Sequence, residues 1–187
     1  SWSPDSARLA YLSRDPLTTE QENEVKKRDD ERVFEGDVRY THAWVIDANP
    51  LDVARDEAGS KPKRLTQGTG YTLSGVPSWA PDGKRFVIGA GATPMLRDNR
   101  RDVYIVDVEA ATAEKISTNF GSDGAPRWSP DGTTIAWTSE PYSGPPVADG
   151  TAPSVITQSR LMLYNVAART IRDVSSPAFD TDAGAPQ

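Results

Sequence analysis

Short apolar runs bounded by Pro, Asp, Gly and Ser recur along the chain at matching intervals. Three of them follow a shared hexad: Ser1-Trp2-Ser3-Pro4-Asp5-Ser6 leads into Leu9-Ala10-Tyr11-Leu12, Ser78-Trp79-Ala80-Pro81-Asp82-Gly83 into Phe86-Val87-Ile88, and Arg127-Trp128-Ser129-Pro130-Asp131-Gly132 into Ile135-Ala136-Trp137. A second run then ends in an acid or amide, at Trp44-Val45-Ile46-Asp47, Tyr104-Ile105-Val106-Asp107 and Met162-Leu163-Tyr164-Asn165. A third, shorter element closes each unit at Leu65-Thr66, Ile116-Ser117 and Val174-Ser175. Runs this short, rich in β-branched and aromatic residues and interrupted by Pro, predict strands rather than helices. Each unit therefore reads as four strands, A to D, with the motif Trp ending strand A.

The hexad is a turn from strand A to strand B. Pro presets φ for the first central position, Asp hydrogen-bonds nearby amides, and Gly takes the left-handed conformation that ends the turn. Ser6 replaces that Gly in the first unit, so the first turn should be the weakest of the three. Strand B, apolar at successive positions, should be the most buried strand of its unit, and Trp2, Trp79 and Trp128 should occupy equivalent sites between units. Four-stranded antiparallel sheets stacked face to face are the blades of a β-propeller. The expected fold class is all-β: three consecutive four-stranded antiparallel blades of a larger β-propeller, forming an open arc. The blades span residues 1–77, 78–126 and 127–187. Gly75-Val76-Pro77 and Gly124-Ala125-Pro126 precede the second and third hexads, and the chain stops at Gly184-Ala185-Pro186-Gln187, so the third blade is expected to break off before the next repeat.

The units are unequal. The stretch from motif Trp to strand-C acid is longest in unit one (Trp2 to Asp47), intermediate in unit three (Trp128 to Asn165) and shortest in unit two (Trp79 to Asp107). Units one and three thus carry insertions between strands B and C, in unit one at about 14–39. Unit one also has a longer C–D hairpin, at about 49–60. In an antiparallel blade the B–C and D–A connections share one rim, which makes that rim the better candidate for a substrate or partner.

Composition narrows the function. A net charge of −6 argues against nucleic acid and against an anionic membrane surface. No apolar stretch approaches the roughly 20 residues of a membrane helix. The chain has no Cys, which removes thiolate chemistry, disulfides and Cys-ligated metal, while leaving bacterial cytoplasm and periplasm both open.

The Trp-Ser-Pro-Asp-Gly repeat, with its following Ile-Ala-Trp or Leu-Ala-Tyr strand, resembles the WD40-like repeat of TolB-type proteins. The same repeat builds the N-terminal propellers of the prolyl-oligopeptidase family of serine peptidases. In unit one the charged stretch 14–39, then Tyr40-Thr41-His42-Ala43-Trp44-Val45-Ile46-Asp47 and Arg64-Leu65-Thr66, is similar to the first blades of acylaminoacyl-peptidase-like members, and Ser159-Arg160-Leu161-Met162-Leu163-Tyr164 also reads like theirs. That resemblance implies a propeller that gates and scaffolds peptide access to an α/β-hydrolase domain of the same parent chain. The implied partners are that domain and peptide substrates. The alternative it allows is a TolB-like protein–protein interaction module. A propeller lyase or glycan-active enzyme fits less well, since those gather several His or carboxylates around the channel.

No catalytic residue carries over. No Gly-x-Ser-x-Gly elbow occurs, and the one histidine, His42, reads as a strand-edge residue just ahead of strand C. Arg100 and Arg101, in the B–C connection of unit two, are candidate substrate-binding residues, because a guanidinium is a planar fork of donors for a carboxylate or carbonyl. Salt bridges to Asp98 or Asp102 are their plainer use. Tyr142, in the Pro-rich B–C loop of unit three, is the third candidate, against a loop-packing role. The stretch 14–39 holds nine acids and six bases, which suits a solvated loop or short helix, or more sharply a lid or interdomain contact. Asp123, Asp180 and Asp182 match no EF-hand spacing, so neither a metal nor a cofactor is expected.

Overall fold

The computed structural model describes residues 1–27, 39–48, 61–95, 100–118, 121–143, 155–156 and 159–175. It is nearly all-β. The strands are β1 (Arg8–Arg14), β2 (Thr41–Asp47), β3 (Lys63–Arg64), β4 (Thr72–Trp79), β5 (Arg85–Gly91), β6 (Arg101–Asp107), β7 (Thr112–Lys115), β8 (Gly121–Trp128), β9 (Thr134–Ser143), β10 (Val155–Ile156), β11 (Arg160–Asn165) and β12 (Thr170–Asp173). Among the described residues there is one helix, α1 (Thr19–Lys27), in the charged stretch after β1, whose residues 28–38 lie outside the described residues. The C–D hairpin of unit one (49–60), together with Asp98, Asp180 and Asp182, lies outside the described residues.

Within each unit the pairing is an antiparallel meander. In unit one Trp2 bridges Leu9, β1 pairs β2 and β2 pairs β3. Unit two runs β4, β5, β6, β7, and unit three runs β8, β9, β11, β12, with β10 added to the far end of β9. The A–B turn repeats its backbone bond and its Asp cap in all three units. The amides of Ser6, Gly83 and Gly132 donate to the carbonyls of Ser3, Ala80 and Ser129 at 2.9, 2.9 and 3.0 Å. The Asp in each turn accepts the amide two residues on: Ala7 on Asp5, Lys84 on Asp82 and Thr133 on Asp131. Ser6 holds φ at 57°, beside 66° at Gly83 and 73° at Gly132, so the serine takes the left-handed geometry the turn demands. The repeated Gly-x-Pro lead-in is a β-bulge, with the β4–β5 register breaking between Ser74 and Ser78 and the β8–β9 register between Gly124 and Arg127. A bulge tolerates Pro77 and Pro126, which cannot donate to a ladder.

The core lies between the units. Ala10, Ala43, Val45 and Leu65 of unit one pack on Leu73, Trp79, Phe86, Ile88 and Val106 of unit two. Val87, Val103 and Ile105, on the opposite face of unit two, pack on Trp128, Ile135, Trp137 and Tyr164 of unit three. The middle sheet is therefore covered on both faces, and β5 is buried at five successive positions.

Two expectations need correction. Strand B is not the most buried strand throughout: in β1 only Ala10 is buried, and in β9 Ile135, Trp137 and Ser139 alternate with more exposed neighbours. An end unit has a neighbour on one face only, so a double-sided apolar strand is half covered there. Nor are the three Trp sites equivalent. Trp79 and Trp128 are 8% and 9% exposed, whereas Trp2 is 57% exposed. The guanidinium of Arg8 lies 5.7 Å from the Trp79 ring and that of Arg85 lies 5.3 Å from the Trp128 ring. Each Arg stands six residues after the motif Trp of the preceding unit, and no described residue plays that part for Trp2.

Candidate functional site

The turns fix which end of each sheet is which. A Cβ on Gly83 would meet Pro4 at 3.8 Å, and one on Gly132 would meet Pro81 at 3.4 Å, so consecutive A–B turns stack in a column along one rim. The B–C connections, where the insertions sit, open on the other rim, together with the dipeptides that close each unit.

Those dipeptides lie just past β3, β7 and β12 rather than inside strand D. Their apolar residues donate backbone bonds to strand C: Leu65 to Ala43, Ile116 to Val103 and Val174 to Leu161. Their hydroxyls accept from the same residues of strand C, Ala43 N–H on Thr66 Oγ1 at 2.9 Å, Val103 N–H on Ser117 Oγ at 3.0 Å and Leu161 N–H on Ser175 Oγ at 2.8 Å. A charged group sits beside each hydroxyl. In unit two Asp102 accepts from Ser117 and pairs with Lys115 at 2.7 Å. In unit three the signs reverse, with Arg160 on Asp173 at 2.7 Å; the Arg160 hydrogen bond and the amide and hydroxyl of Ser175 hold the Asp173 carboxyl down at about 2.

Unit one builds the same clasp around His42, which is fully buried. His42 Nδ1 lies 3.2 Å from Thr66 Oγ1 and Nε2 lies 3.3 Å from Asp15 Oδ2, while Arg64 holds Asp15 Oδ1 at 2.7 Å. Burial, seconded by the nearby Arg64 charge, pushes the imidazole below its ordinary range; Asp15 opposes this and does not prevail. His42 is thus no strand-edge residue: the start of the β1–β2 connection and the end of β3 enclose it. A base next to a hydroxyl and a carboxylate has the outline of a nucleophile site, but the geometry closes it. Thr66 is 3% exposed and its oxygen already accepts the Ala43 amide, so no substrate carbonyl reaches it. The repeat showed the Leu-Thr, Ile-Ser and Val-Ser dipeptides; what it did not show is that their hydroxyls bind across to strand C.

The substrate-binding candidates share this rim. Arg100 is half-buried just ahead of β6, and Arg101, exposed, opens β6 and pairs with Ser122 of β8. Tyr142 is corrected from loop to strand: it lies in β9, opposite Ile156 of β10. The run Thr138-Ser139-Glu140-Pro141-Tyr142-Ser143 looks like a loop, yet its Ser139, Glu140 and Pro141 stand opposite Asp123, Ser122 and Gly121 on β8, and tertiary pairing overrides propensity. Asp123 is fully buried on β8. Among the described residues no group of three or more metal-ligating side chains occurs. On the turn rim a shallow cleft of about 280 Å³ opens between units one and two. Two of its cations are committed, Lys63 to the carbonyls of Val108 and Glu109 and Arg8 to that of Gly83.

No protein-family model matches the chain. The Tol-Pal system protein TolB of Alcanivorax borkumensis is 31% identical over 93 residues, which is 49% of this chain and 20% of that protein. Among solved structures, a putative TolB from Agrobacterium tumefaciens superposes with a TM-score of 0.52 at 19% identity, covering 92% of this chain and 46% of the other. The AtxE2 isopeptidase gives 0.54 at 14% identity, over 100% and 30%. The acylaminoacyl peptidase of Pyrococcus horikoshii gives 0.51 at 10% identity, over 92% and 24%. This chain spans about a fifth of the curated relative and less than half of each of these structures. At such identities the structural likeness speaks to fold. Hexad repeat, meander order and likeness agree on the fold: the chain is built from WD40-like β-propeller repeats, similar to those of TolB.

Proposed function

We propose that the three meanders are consecutive blades of a larger β-propeller, and that this propeller is the non-catalytic gate and scaffold of a prolyl-oligopeptidase-family serine peptidase. The observation that carries the first part is the contrast between matching positions. Trp2 is 57% exposed where Trp79 is 8%, and Leu161 is 45% exposed where Val103 is fully buried. Both end sheets thus present the apolar positions that neighbouring blades cover within the chain, and closed propellers use typically 4–8 blades. Support for the peptidase comes from the insertion-bearing rim of unit one and its resemblance to acylaminoacyl-peptidase-like blades. In this reading the rim of the B–C connections faces the hydrolase domain. Arg100, Arg101 and Tyr142 then contact peptide there, the arginines through carboxylate or carbonyl oxygens.

A second reading, a TolB-like interaction module, is favoured by the sequence identity to TolB. The reading frame that encodes this chain separates the two. A hydrolase domain with a Gly-x-Ser-x-Gly elbow, labelled by a fluorophosphonate in the expressed full-length protein, is the expected result. Further blades without such a domain would overturn the peptidase reading and leave the interaction module.

A further inference from the structure

We propose that His42 is an acid-sensitive clasp that, in its neutral form, ties the start of the β1–β2 connection at Asp15 to the end of β3 at Thr66, and that protonation loosens this tie. The proposal does not rest on the peptidase reading. The proton inventory fixes the working tautomer. Thr66 Oγ1 accepts the Ala43 amide at 2.9 Å, so its own hydrogen is available to Nδ1, 3.2 Å away. The ring proton then sits on Nε2, buried 3.3 Å from the Asp15 carboxylate but outside hydrogen-bond geometry, so the link on that side is electrostatic. Asp15 is fixed in turn by Arg64 and by its amide on the Tyr40 carbonyl at 2.8 Å, which pins the two roots of the connection together.

A second proton can only enter at Nδ1, the atom that accepts from Thr66. The Thr66 hydrogen then loses its acceptor in a buried place, and a full charge appears beside Arg64. The groups acting on the ring are Arg64, on β3, which disfavours its charged form, and Asp15, past β1, with the backbone of Gly68, past β3, which favour it. Arg14 is exposed at the end of β1, Arg39 and Tyr40 precede β2, and β4, the nearest strand of unit two, carries no charged residue. Burial and Arg64 outweigh Asp15, so the ring's pKa in the folded chain lies below its ordinary value. The released state therefore binds the proton more readily. The tie is at full strength above the ordinary histidine pKa of about 6.5 and weakens as pH falls below it. Units two and three make the same clasp from Asp102–Lys115 and Arg160–Asp173, with no histidine in either pair. Only unit one, whose connection carries the long charged insertion, uses a histidine and draws its counter-ion from that connection.

Because His42 is the one histidine of the chain, ring hydrogen–deuterium exchange read by mass spectrometry gives its pKa directly, and backbone exchange of the same samples reads the tie. The expected ring pKa is below 6.5. Protection factors of the peptides holding Asp15 and Ala43 should fall severalfold between pH 7.5 and 5. The peptide holding Val106 should stay unchanged. Arg64→Met should raise the ring pKa and Asp15→Asn should lower it, and His42→Asn should flatten the pH profile. A ring pKa at or above 6.5 with unchanged protection overturns the proposal. So does the same pH profile in His42→Asn; should that variant not fold, absence of any ring response to Arg64→Met and Asp15→Asn does so instead.

Discussion

Ser6 offers a test of the turn column in both directions. A side chain at φ 57° carries a left-handed penalty of ~1–2 kcal/mol, which Ser6→Gly removes. The added freedom of glycine in the unfolded chain offsets ~0.4–1 kcal/mol of that gain. The Ser6 side chain is exposed, so little else is lost, and a net gain of ~0.5–1 kcal/mol remains. For a chain of this size that is a rise of about 1–4 °C in melting temperature. Gly132→Ala runs the other way. It places a Cβ at φ 73°, with Pro81 Cδ at 3.4 Å, the near edge of ordinary contact, so the left-handed backbone carries the cost. The expected loss is ~1–2 kcal/mol. Urea unfolding followed by tryptophan fluorescence, at one fixed protein concentration because association adds its own stability, measures both. A Ser6→Gly variant less stable than the parent, or a neutral Gly132→Ala, would refute the stacked-turn reasoning.

The Arg–Trp contacts between units should be separable from the turns. Arg85→Met keeps most of the apolar stem and loses the cation over Trp128, and should cost ~0.5–1 kcal/mol in the same urea assay; Arg8→Met should cost more, since Arg8 also donates to the Gly83 carbonyl at 2.8 Å. The Asp173 carboxyl, held at about 2 by Arg160 and Ser175, is depressed in the folded state. Its contribution is present above the ordinary carboxylate range and lost as pH falls through about 2, so Asp173→Asn should lower stability at neutral pH, leave it unchanged in strong acid, and flatten the limb between.

The sequence carried the strands well where local chemistry and packing agree. Pro-Asp-Gly dictates the A–B turn, and the acid or amide closing strand C turns out to cap the next turn: Asp107 Oδ1 accepts from Glu109 and Ala110, and Asn165 Oδ1 from Ala168. What stayed hidden depends on neighbours. Tyr142 reads as loop because its own residues favour one, and becomes strand because β8 lies alongside. Trp2 matches Trp79 in motif and differs in burial because covering it takes an arginine from another unit. His42 is a lone polar residue in a strand pattern, and nothing in that pattern says that Asp15, Arg64 and Thr66 converge on it. Convergence of residues this far apart in the chain is a tertiary fact.

The two rims also differ in what a longer connection would break. At the turn column the rings of Pro4 and Pro81 approach the glycines of the next turn to contact distance, so an extra residue in an A–B turn would displace its neighbours as well. All three A–B turns accordingly keep one length. At the other rim, strand C is held to the closing dipeptide by a backbone bond and a hydroxyl bond in every unit, whatever joins it to strand B. The clasp makes B–C length free of the sheet's stability apart from loop entropy, which grows only by about 0.6 kcal/mol per doubling. Insertions between strands B and C can therefore accumulate on one rim without unfolding the blade beneath them.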